Sequence, residues 1–134
     1  MLTNVTEIPV TRLHGEVWAL KQQGYRLVTL TCCDLGDAHD ILYHFDKDYT
    51  LKHLRLRLPR GESLPSITDL FFAAVLVENE IQDLFGVTVS GMVVDYKGRF
   101  ILAEGAPVAP LNKPVGIGID IRAKAPVAEG GKAL

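Results

Sequence analysis

The sequence predicts an α+β domain: an N-terminal helix, an antiparallel sheet of three to four strands, one long helix packed on the sheet, and an extended C-terminal tail. Three observations predict it. Apolar residues recur at helical spacing over 10–23, alternate over 41–46 and 50–58, and return to helical spacing over 67–85. From Gly105 onward, Pro, Gly and Ala replace any period. A chain of 134 residues suits one domain with a core, because about two-thirds of the unfolded surface is buried at this size.

Val10, Leu13, Val17 and Leu20 make one apolar stripe, Pro9 suits the helix start and Gly24 its end. The run 25–33 is β-branched and apolar and predicts a strand. Turn chemistry at 34–40 leads to 41–46, where Ile41, Tyr43 and Phe45 share a face. After a tight turn, 50–58 sets Leu54, Leu56 and Leu58 against His53, Arg55 and Arg57. Short turns between strands predict an antiparallel meander with one buried face. The residues 34–48 carry five Asp and one Lys, and 50–60 carry Lys52, Arg55, Arg57 and Arg60. Paired as a hairpin, these charges largely cancel, which favours a solvated face over an anion site.

A loop at 59–68 precedes the second helix, with Ser66 and Asp69 spaced as a capping box. Gly86 ends the helix. Short strands are expected within 86–94 and at 99–104. The single domain is thus expected over 1–104, and 105–134 as the tail, with Val108, Leu111, Val115, Ile117, Ile119 and Ile121 as apolar anchors on a partner. The sequence GIGID at 116–120 lacks the glycine spacing of a dinucleotide site.

Composition excludes several classes. The longest apolar run is eight residues, 70–77, and a membrane span needs about 20. The first ten residues lack a basic start and an apolar stretch, so no secretory signal is expected. The net charge of −2 disfavours a nucleic-acid coat. Cys32 and Cys33 are adjacent, and the four histidines show no chelating spacing. The chain is therefore expected to hold no metal or cluster of its own, and two free thiols fit a reducing compartment.

The second helix carries the chemistry. Ile67, Leu70, Phe71, Ala74, Val77, Ile81, Leu84 and Phe85 form its core stripe. Phe72 and Leu76 point away from that stripe beside Asp69, Glu80 and Asp83, which predicts an interface. Glu78, Glu80 and Asp83 crowd the end where the helix dipole disfavours carboxylates by roughly 0.3–1 kcal/mol. Glu78 falls at the edge of the core stripe, where a carboxylate needs a hydrogen-bonding or cationic partner. Arg26, Arg55, Arg57, Arg99 or another chain are the candidates. A structural role for these acids is favoured over a catalytic one, since no nucleophile or phosphate loop accompanies them.

The segment 64–87 resembles the signature region of the complex I 30-kDa subunit family. That signature reads Pro-Ser-apolar-Thr, a helix, then Glu-Arg-Glu-x-x-Asp-apolar-Phe-Gly-apolar. Here Pro65, Ser66, Ile67, Thr68, Ala73, Ala74, Glu78, Glu80, Asp83, Leu84, Phe85, Gly86 and Val87 supply it in register. Asn79 stands at the Arg position, Gly91-Met92-Val93 replaces the following Gly-His-Pro, and Phe72 stands where Pro is frequent. These departures, with the short chain, resemble the version in energy-converting membrane-bound [NiFe] hydrogenases.

The resemblance implies a non-catalytic hydrophilic subunit without flavin, cluster or nickel. It would pack on a hydrogenase-like large subunit, near a small iron–sulfur subunit and membrane subunits, at the cytoplasmic face of the cell membrane. The nickel–iron centre and iron–sulfur clusters would lie in those partners. The implied interface or motif residues are Pro65, Ser66, Thr68, Phe72, Leu76, Glu78, Glu80, Asp83, Phe85 and Gly86. The 30-kDa subunit of an NADH/quinone or other complex I-like dehydrogenase, or of a formate hydrogenlyase, is the alternative within the family. Outside it stand a small acid–base enzyme using Glu78, Glu80 and Asp83, and a nucleic-acid module using His53, Arg55, Arg57 and Arg60.

Overall fold

Leucine alternation decides where the core lies. The computed structural model describes residues 2–112. Strand β1 (Val5–Glu7) leads through a 3-10 turn (Val10–Arg12) into α1 (Leu13–Gln22). Strands β2 (Arg26–Asp34), β3 (Ala38–Lys47) and β4 (Thr50–Pro59) follow, then β5 (Ser63–Pro65), α2 (Ala74–Phe85) and β6 (Thr88–Ser90). The main sheet has the order β1-β4-β3-β2, and β5 and β6 form a second, two-stranded parallel sheet.

The meander is antiparallel and its register matches the hydrophobic pattern. Tyr43 pairs with Leu54 and Leu30, and Ile41 with Leu56 and Cys32. These side chains share the inner face, where Ile41, Tyr43 and Phe45 are sealed. Helix α1 adds Leu13, Val17 and Leu20 to this core, and α2 adds Ala74 and Ile81. The register slips between Leu27 and Thr29. Val28 is therefore an extra residue at a bulge on the edge strand, which blunts that edge against further pairing.

Five expectations are corrected. The sheet is mixed, because β1 joins β4 in parallel. Three residues with one β-branched apolar side chain give no periodic signal; β1 is held by its place beside β4, where His53 N–H donates to Asn4 and Ile8 N–H to Arg55. The long helix starts at Ala74, not near residue 67. The chain before it turns tightly, with Leu70 and Phe71 N–H both donating to the Ile67 carbonyl. The Leu70 carbonyl, which a continuous helix would use, accepts from Lys21 Nζ at 2.8 Å.

The capping box is also absent. Asp69 contacts His14 at 2.8 Å and Ser66 faces Glu78. Finally, 99–104 is not a strand but a run of turns held by α2, while Ser63–Pro65, expected as loop, pairs with β6. Gly86 does end α2, at φ +69° in the left-handed region. Residues 113–134, with most of the expected tail and its anchors from Val115, lie outside the described residues.

Candidate functional site

The polar side chains of α2 act on the chain's own backbone. Glu78 is fully buried. Its Oε1 accepts from Ser66 Oγ at 2.6 Å, and its Oε2 from Ile67 N–H at 2.8 Å. Ser66 Oγ also accepts Thr68 N–H at 3.0 Å and lies 2.8 Å from Thr68 Oγ1. Thr68 Oγ1 in turn accepts Val93 N–H at 3.0 Å. Ser66, Thr68 and Glu78 thus form one buried network that fixes the turn before α2.

No arginine enters this network. Arg26 binds Asp46, Arg55 binds Asp40, Arg57 binds Asp37 and Arg99 binds Glu104. Of the two kinds of partner expected for Glu78, the structure supplies the hydrogen-bonding kind among the described residues, a hydroxyl and a backbone N–H. Burial pushes the Glu78 carboxyl up from 4.5 to about 7, against the opposing pull of those two hydrogen bonds. The buried Tyr43 hydroxyl has no hydrogen-bond partner among the described residues. Its pKa is raised well above the usual range, first by burial and then by the negative charge of Glu78.

Asn79, Gln82 and Asp83 fix the chain beyond α2. Asn79, fully buried, donates to the Val75 and Val94 carbonyls and accepts from Tyr96 N–H at 2.9 Å. Gln82 donates to Asp95 and accepts from Val89 N–H. Asp83 Oδ2 accepts from Ile101 N–H at 2.5 Å and Leu102 N–H at 3.0 Å. Sequence reasoning missed Asn79 and Gln82. Asn79 stands three residues before Gln82 and four before Asp83, the spacing that would have grouped them.

The helix end is held in the same way. Leu111 N–H donates to the Leu84 carbonyl, and Asn112 Nδ2 to the Phe85 carbonyl at 2.7 Å. Asn112 Oδ1 bonds His39, whose ring meets Phe85 edge-on at 6.0 Å. Leu111 and Asn112 therefore cap the Leu84 and Phe85 carbonyls at the end of α2. Pro65 lies in β5, paired with Ser90.

The remaining candidates stand outside this framework. Phe72 is 65% and Leu76 58% exposed, facing away from the core as expected. Glu80 is exposed and makes no ion pair among the described residues. The three acids do not converge. Glu78 is sealed, Glu80 faces outward, and Asp83 lines a cleft of about 190 Å³ with Arg99, Leu102 and Pro107. Among the described residues no group of three or more His, Cys, Asp or Glu could hold a metal ion. No helix of these residues is long and apolar enough to cross a membrane.

The outer sheet face is a set of paired charges. Arg55 holds Asp40 through two bonds of 2.9 and 2.7 Å, Arg57 holds Asp37, and Arg60 binds Asp34. His53 Nδ1 lies 2.7 Å from His44 Nδ1, and His44 Nε2 2.7 Å from Thr31 Oγ1. The four residues considered for nucleic acid are thus engaged within the sheet.

Comparison with known proteins adds three findings. A model of the family described as "Respiratory-chain NADH dehydrogenase, 30 Kd subunit" matches residues 6–118. The C subunit of the NADH-quinone oxidoreductase of Ruegeria pomeroyi is 36% identical over 70 residues, covering 48% of this chain and 35% of that protein. The chain thus matches about a third of that relative's length. A chain in the structure of the membrane-bound sulfane sulfur reductase, an archaeal respiratory membrane complex, superimposes with a TM-score of 0.65 at 20% identity. That superposition covers 80% of this chain and 66% of the other, and it shows a shared fold.

Proposed function

Because the chain belongs to the 30-kDa subunit family of the respiratory-chain NADH dehydrogenase, we propose that it is a non-catalytic hydrophilic subunit of a membrane-bound, ion-translocating redox complex. It packs on a large subunit resembling the hydrogenase catalytic subunit, on the cytoplasmic side of the membrane. The small iron–sulfur subunit and the membrane subunits complete the assembly. The nickel–iron centre and iron–sulfur clusters belong to those partners, and this chain binds no cofactor.

One observation carries this reading. Ser66, Thr68, Glu78 and Asp83, which supply the signature, hold backbone and are buried. A fully buried Glu78 reaches no substrate, so the signature builds a rigid frame, while the apolar Phe72 and Leu76 stay exposed. The energy-converting [NiFe] hydrogenase type is supported by Asn79 at the Arg position and by Gly91-Met92-Val93. The segment 36% identical to an NADH-quinone oxidoreductase supports a second reading, the 30-kDa subunit of a complex I-like dehydrogenase.

The test is native mass spectrometry of the assembly purified through a tag on this chain. A nickel-containing large subunit among the co-purifying chains supports the first reading, and a flavin-containing NADH module the second. A chain that travels alone refutes both.

A further inference from the structure

Trp18, Phe72 and Leu76 are large apolar side chains that the fold leaves more than half exposed. Phe72, Leu76 and Glu80 recur at intervals of four. Phe72 precedes α2, but its carbonyl already accepts Val75 N–H at 2.9 Å, so the turn runs on into the helix. Such a row forms a ridge about 12 Å long at 1.5 Å per residue. Helix α1 flanks the turn before this ridge. Its His14 contacts Asp69, and its Lys21 donates to the Leu70 carbonyl and covers the Phe71 ring at 5.0 Å. Trp18 lies between those two anchors on the same stripe of α1, four residues past His14 and three before Lys21, and is 53% exposed. That stripe faces the turn at 69–71 which leads into the ridge, so Trp18, Phe72 and Leu76 offer the aromatic and aliphatic kind of surface that dominates binding energy at interfaces.

Charge says what covers it. At the far end of the ridge, Glu80 is exposed and has no ion-pair partner among the described residues. α2 has no basic residue in its last turn to compensate it. The patch is therefore apolar at one end and uncompensated negative at the other. We propose that it receives an amphipathic helix of another subunit, with apolar side chains over Trp18, Phe72 and Leu76 and a Lys or Arg about two turns on, opposite Glu80. This rests on the reading of the chain as an assembly subunit and adds the chemistry of the partner surface.

The experiment uses the tagged full-length chain in its native cell. Phe72→Asp, Leu76→Asp and Glu80→Lys each lower recovery of the co-purifying subunits by about tenfold or more, the loss of one interface hot spot. Leu51→Asp, at an exposed site on β4 outside the patch, leaves recovery unchanged. The variants melt as the parent does when isolated, because the altered side chains are exposed. A photo-reactive residue at position 76 cross-links to a peptide with helical apolar spacing and a basic residue.

Full recovery with all three patch variants overturns the proposal and leaves the assembly reading intact. So does a cross-link to a second copy of this chain, or to a peptide without Lys or Arg. Parent chain that recovers no other subunits overturns both.

Discussion

The Glu78 carboxylate lies 2.8 Å from the Ile67 backbone nitrogen, so a helix residue closes the turn that leads into its own helix. This contact accounts for an acid that the sequence alone left without a partner. The same carboxylate takes the Ser66 hydroxyl. A protonated Glu78 keeps both contacts, since the Ser66 hydroxyl can turn to donate to Thr68 Oγ1 and accept a hydrogen bond from the acid.

Glu78→Gln copies that neutral state. The folded carboxyl is raised from 4.5 to about 7, so its stabilising contribution is complete below pH 4.5 and is lost as pH rises through about 7. Gln escapes that loss. The variant should match the parent near pH 4.5 and melt higher at pH 8, with a ceiling of about 3 kcal/mol at 1.36 kcal/mol per pKa unit. Glu78→Leu should be weaker than Gln by about 1–3 kcal/mol at both pH values, because Ser66 and Ile67 lose their acceptor. A Gln variant that melts lower than the parent at pH 8 would contradict the neutral-carboxyl account.

Asp83→Ala should destabilise the domain by about 1–3 kcal/mol, since two backbone N–H groups lose their acceptor. Hydrogen exchange at Ile101 and Leu102 should accelerate before exchange in β3 does. Asp83→Asn keeps one acceptor oxygen and should lose less. Unchanged exchange at both amides in the Ala variant would show that Asp83 does not hold this segment.

Asn79→Arg restores the residue that the family signature carries. Here it should destabilise by about 2–4 kcal/mol, because a charge replaces a fully buried amide with three backbone contacts. Denaturant melts measure this directly. A neutral result would mean that 94–96 repacks without cost.

His44 has its pKa lowered from 6.5, first by burial and then by His53. The 2.7 Å contact between the two Nδ1 atoms holds one proton, not two. Stability from the neutral pair is therefore present above pH 6.5 and falls as pH drops through the lowered value. The parent should lose more melting temperature between pH 7 and pH 5 than His44→Gln does. Parallel curves for the two proteins would remove the pair from the acid response.

Gly86→Ala should cost more than Gly91→Ala. Both glycines have positive φ, but a Cβ at Gly86 would meet Ala109 Cβ at 3.2 Å, while Gly91 has open space. The strain common to both is about 1 kcal/mol. Equal losses in thermal melts would mean that 109–112 yields without cost.

Alternation at 41–58 determined the meander and its buried face, because a period of two leaves one register that buries Ile41, Tyr43, Leu54 and Leu56 together. Helical spacing placed both helices, and Gly86 marked an end that needs positive φ. The signature at 64–87 was enough to place the chain in its family. Short-range pattern could not supply β1, the late start of α2 or the partners of its acids. Those depend on backbone N–H groups brought close from far along the chain, as Ile101 is to Asp83. An amide carries no side-chain signature, so the backbone donors that Glu78 and Asp83 needed were invisible until the fold placed them.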